Sequence, residues 1–112
     1  MALNADHAYE TVAQVVIGTA ETVIYTVPAS TQIVAGVCKF PNVTAASASL
    51  TVHLRRLGAA AADGTKIANG VAIQQGERWT EEGLTMAATD VLSALSSVAS
   101  AFTATLTGLR RT

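Results

Sequence analysis

Two histidines, one cysteine and eight scattered carboxylates are the main stock from which this chain could build acid–base, nucleophilic or metal chemistry. A zinc site needs three or four ligands converging at bonding distance. His7 lies in the N-terminal stretch and His53 inside an alternating segment, and neither has a Cys or His at ligand spacing. No metal is expected. A nucleophile–base pair would have to join Cys38 to His53. Cys38 sits within Val37-Cys38-Lys39-Phe40, where a small buried hydrophobe is the usual role, and nothing there favours a thiolate. Glu81 and Glu82 adjoin, but neighbours on a strand point to opposite faces, so a solvated turn is expected instead of a paired acid and base. The glycines at 18, 58, 64, 70, 76 and 83 stand singly between runs, as turns require, and no glycine-rich phosphate loop occurs. The chain reads as a non-enzyme without a cofactor, one that works through its surface.

Composition agrees. At 112 residues the chain is one domain, long enough to bury a real core. Half of it is hydrophobic and only 13% is charged, against about 25% in an ordinary globular domain. Mean hydropathy is +0.39 while aromatics make up 4%, so the apolar content is aliphatic and small. So bland a surface is the kind that subunit interfaces use. Net charge is −1 with no basic stripe, which disfavours nucleic acid. Arg55-Arg56 and Arg110-Arg111 are isolated pairs with solvated or interface roles. A single cysteine rules out an internal disulfide. The opening MALNADHAYE lacks the basic and apolar regions of a signal peptide, and no apolar run reaches the ~18 residues of a membrane helix. No membrane partner is expected.

The elements that must position these residues are strands. Short Thr/Val/Ile runs are cut by Gly, Pro, Asn and Ser about every ten residues, the pattern of an antiparallel sandwich or small barrel. Runs begin at Ala13, Thr22 and Ile33, the second stopped by Pro28 and the third by Pro41. Ser49 to Arg55 alternates, placing Leu50, Val52 and Leu54 inward and Thr51, His53 and Arg55 outward. Residues 58–64 form a loop, because four alanines between glycines are too few to nucleate a helix. Ile67 to Gln75 reads as an edge strand or short pair, Gln75 to Glu77 as a turn, Thr89 to Ser97 as a strand, and Phe102 to Gly108 as the closing strand. About eight strands result, spanning 12–112, behind an N-terminal arm of residues 1–11 with neither helical nor strand period.

Several segments in series resemble the small β-sandwich structural proteins of tailed bacteriophages. They are Glu21-Thr22-Val23-Ile24-Tyr25-Thr26-Val27-Pro28-Ala29, Ile33 to Cys38, Gln75-Gly76-Glu77-Arg78-Trp79-Thr80, and Asp90 to Ser97. The resemblance covers roughly residues 20 to 112 and departs at 55–64, where Arg55-Arg56-Leu57 and an alanine-rich loop stand. It implies a virion structural protein, made in the host cytoplasm and placed on the outer surface of the capsid. Its role would be that of a decoration (cement) protein, a homotrimer that binds the major capsid protein and bridges neighbouring subunits. The alternative it leaves open is a tail, baseplate or head-fibre accessory protein, or a carbohydrate-binding module, for which one Trp and two Tyr are a poor aromatic supply.

Candidate contacts follow from this reading. Trp79 is either a ring sealing the core or an interface anchor. Leu84 and Met86 are expected at a subunit contact. In the arm, Leu3 and Tyr9 are the expected anchors once a partner orders it.

Overall fold

The computed structural model describes residues 7–111. Eight strands run β1 (His7–Ile17), β2 (Thr22–Thr26), β3 (Gln32–Pro41), β4 (Ala48–Arg55), β5 (Lys66–Ile73), β6 (Arg78–Met86), β7 (Val91–Ser96) and β8 (Phe102–Arg111). Two 3₁₀ turns, Arg56–Gly58 and Asp63–Thr65, interrupt the long β4–β5 connection. The strands form two four-stranded antiparallel sheets, ordered β1-β8-β3-β6 and β2-β7-β4-β5. Each early strand pairs with its late counterpart: β1 with β8, β2 with β7, β3 with β6, β4 with β5. Links β3–β8 and β4–β7 complete the sheets. Four such ribbons wrapped into two facing sheets are the jelly roll, two Greek keys closed on one core.

The core lies between the sheets. Ile17, Ile33, Phe40, Leu50, Val52, Leu92, Phe102 and Leu106 are fully buried, all contributed by the period-two faces of their strands. Gly36 lets β3 close on β6, and Gly108 lets β8 close on β3, both at register shifts. A Cβ on Gly36 would stand 2.9 Å from Leu84 Cβ, and one on Gly108 2.9 Å from Ile33 Cγ2.

Cys38 is fully buried among these residues. Burial, aided by the nearby Glu81 charge, pushes its thiol up to about 12. A thiolate-directed reagent at pH 8 should therefore label Cys38 only through unfolding, at least ~1,000-fold more slowly than the denatured chain. Labelling kinetics with and without urea measure this. Fast native labelling would contradict the buried placement.

Four features differ from the sequence reading. β1 starts at His7, so residues 7–11, read as arm, pair backbone to backbone with Thr107–Arg111. The polar and apolar residues there show no alternation, yet the β8 ladder satisfies their backbone. Leu3 and the side chain of Tyr9 lie outside the described residues. His53 and Thr51, expected exposed, are 4% and 9% exposed: the 56–65 connection reaches His53 through Thr65, and Gly70 N of β5 donates to Thr51 Oγ1. Glu81 and Glu82 belong to β6, not to a turn. Leu84 and Met86 are 5% and 0% exposed in the core, so neither is available to a partner. The bulge at Gly83, with φ +67, resets the alternation of β6 and turns both inward.

Candidate functional site: the hydrogen-bonded loop end

Strand direction sorts the loops. Connections β1–β2 (18–21), β3–β4 (42–47), β5–β6 (74–77) and β7–β8 (97–101) gather at one end, and β2–β3, β4–β5 and β6–β7 at the other. Among the described residues, four of the six exposed large aliphatics lie at or beside the first end, while Leu57, at 79% the most exposed, and Ile67 lie at the other. Val43 and Val98, 62% and 40% exposed, lie in loops of the first end. Val16 and Val23, 55% and 47% exposed, lie on the strands entering and leaving its β1–β2 loop. Around them stand Thr19, Ala20, Ala45, Ala46, Ser47, Gln74, Gln75, Ser97, Ala99 and Ser100, all exposed and uncharged, with the exposed charges Glu21 and Glu77 in the same loops and Arg78 at the start of β6. Arg55, Arg56, Asp63, Lys66, Arg110 and Arg111 sit toward the opposite end.

The first end is built, not loose. Asn42, only 3% exposed, uses both ends of its amide. Its Nδ2 donates to Ala46 O and Ile73 O, each at 2.9 Å, and its Oδ1 accepts from Thr44 N at 3.0 Å and Thr44 Oγ1 at 2.7 Å. One side chain thus fixes the β3–β4 loop to the end of β5. Backbone bonds Asn42 N to Glu77 O, Val43 N to Ala101 O, Ser100 N to Ile17 O and Ser96 N to Gly18 O tie the four loops to one another. Ser96 and Ser97 add hydroxyl acceptors for Val98 N and Ser49 N. Loops knitted this way present Val43 and Val98 with little ordering entropy left to lose on contact.

Trp79 opens β6 close to this end, half-buried against the core, with Nε1 donating to Glu81 Oε1 at 2.8 Å. Its indole N–H is satisfied within the chain.

A second polar cluster lies on the outer face of the β2-β7-β4-β5 sheet. Glu21 Oε2 accepts from Ser93 Oγ and from Arg55 Nη1. Ser93 stands directly across from His53 on the neighbouring strand. The residue types are those of a Ser–His–acid triad, but the order is wrong. The serine hydroxyl donates to the carboxylate, and Ser93 is fully buried. His53 Nδ1 lies 2.7 Å from Thr65 Oγ1, which is also 2.9 Å from Ala62 O. Arg55 Nε also donates to Ala59 O. These bonds fasten the 56–65 connection onto β4, which is a structural task. The Ser93 hydrogen bond is the main influence holding the Glu21 carboxyl below its ordinary value. Partial burial opposes it and Arg55 reinforces it.

At the far end a hollow of about 400 Å³ is lined by Ser30, Thr31, Gln32, Ala87, Ala88 and Arg111. Among the described residues, no three His, Cys, Asp or Glu side chains group so as to hold a metal ion, and no helix is long and apolar enough to cross a membrane. No family model, curated protein or solved structure matches the chain.

Proposed function

We propose that this chain is a structural protein of a tailed-bacteriophage particle, a capsid decoration protein that docks on the shell through the hydrogen-bonded loop end that exposes Val43 and Val98. The carrying observation is the rigid rim itself: Val43 and Val98 are exposed on loops that hydrogen bonds have already ordered. Exposed aliphatics on preorganised backbone gain affinity from burial without a large ordering cost. The jelly roll supports the reading, since it is a frequent scaffold of viral coat domains, although fold alone does not assign function. A rim of exposed aliphatic and small side chains fits a protein surface of the major capsid protein better than a glycan. Sugar sites favour exposed aromatic platforms, and none of the exposed side chains in these four loops is aromatic.

The test is add-back. Purified chain mixed with particles lacking it should bind in saturating, stoichiometric fashion and raise the temperature at which the shells open. Chain that stays in the supernatant over intact shells would overturn the decoration reading. Binding confined to isolated tails would move the protein to the tail.

A further inference from the structure

The four open sheet edges are not guarded alike. Natural edge strands avoid stray pairing by being short, bulged or charged. β2 has five residues and a register shift between Val23 and Tyr25. β5 carries Lys66 and a break at Gly70, whose φ is +59. β6 carries Arg78, Glu82 and the Gly83 bulge. β1 is different. Its one irregularity falls between Thr11 and Ala13, after which Ala13-Gln14-Val15-Val16-Ile17 pairs without interruption to Leu106–Phe102. That stretch has no charge, glycine or proline, its other edge is bonded to no strand among the described residues, and Val16 is 55% exposed beside it.

We infer that β1 pairs antiparallel with β1 of a second copy about a twofold axis at Val15, continuing the β1-β8-β3-β6 sheet into eight strands. The occupant is a second copy because the edge is self-complementary. This register sets Gln14 opposite Val16 of the partner subunit and Ala13 opposite Ile17 of the partner subunit. Like charges stay apart, because Glu10 falls opposite Ala20 of the partner subunit and is already paired with Arg110 at 2.8 Å. A heterologous partner would need a charge pattern to select it, and residues 11–17 offer none. This pairing gives a dimer, which the test separates from the trimer expected from the sequence. The contact covers on the order of 500 Å² per copy, below the ~800 Å² of a standard interface, so the dimer is concentration-dependent.

Sedimentation equilibrium across roughly 5 to 500 µM, the range suited to so small a contact, tests this. The mass should rise from 11.5 kDa toward twice that value. Val16→Lys should raise the dissociation constant at least tenfold by placing a lysine on the edge. Val43→Asp, which alters only the loop end, should leave it unchanged. Hydrogen exchange of the unmodified chain supplies a readout independent of any variant's folding: amides of residues 13–17 should gain protection as concentration rises. A constant 11.5 kDa mass, a threefold mass, or a dimer without added protection at residues 13–17 would each overturn the inference. A monomer would leave loop-end docking standing, because the docking test uses Val43 and Val98 instead.

Discussion

Replacing Asp90 by alanine should lower stability by about 3 kcal/mol, the scale for removing a buried, multiply bonded carboxylate. Asp90 is 1% exposed at the start of β7, and its two oxygens serve three donors. Oδ1 accepts from Leu57 N at 3.0 Å; Oδ2 accepts from Ala87 N at 3.1 Å and Arg56 Nη1 at 2.9 Å. These contacts join the β4–β5 and β6–β7 connections, while backbone bonds from Val27 and Thr89 add the β2–β3 loop. They also hold Leu57 in the left-handed region, φ 55, where a branched side chain is strained. Alanine leaves two backbone N–H groups without their acceptor and removes the restraint on Leu57. Arg56 is mostly exposed, so its loss counts least.

The same residue sets an acid limit. Burial alone would raise the Asp90 carboxyl, but the Leu57 and Ala87 amides and the Arg56 guanidinium outweigh it and hold the group below 3.8. A carboxyl whose folded value is depressed stabilises the fold above its unfolded value, and that contribution fades as pH falls through the folded one. Glu21 is shifted the same way. Thermal melts should thus be flat near neutrality and fall as pH drops below about 4. The Asp90→Ala variant should lose part of that slope. A variant melting within a degree of the parent would contradict the role given to Asp90.

The second large effect is on docking. The double variant Val43→Asp, Val98→Asp should bind shells at least ~100-fold more weakly, because docking would bury two carboxylates with no partner. Both positions are exposed in the free chain, so its melting temperature should hardly change. Weak binding by a fully folded variant separates a docking role from a structural one. Undiminished binding would take the rim out of the contact.

What could be read from the sequence was local. The alternation of Ser49 to Arg55 identifies the inward face of β4, and the punctuation by Pro28, Pro41 and the turn at Gly76 brackets strands that fold as expected. Long-range pairing was not legible. Ser93 and Glu21 are 72 positions apart, and Asn42 reaches Ile73 across 31. Only the jelly-roll order brings the four loops of the rim together, so Val43 and Val98 look like ordinary loop residues in the sequence. The alternation of β4 could not announce that the 56–65 connection would cover His53. In β6, the polar setting Thr80-Glu81-Glu82-Gly83 hides a bulge, and with it the inward turn of Leu84 and Met86. Exposed valine beside a well-bonded Asn-x-Thr turn is a signal that could have marked the rim.

The most direct measurement is cryo-microscopy of the particle encoded with this chain. Docking through the loop end predicts density for the two-sheet domain on the outer shell. The 42–47 and 97–101 loops should face the major capsid protein, and Val43 and Val98 should lie within van der Waals contact of it. A shell without this domain, or one that meets it through the Arg56 and Asp63 end, would contradict the account.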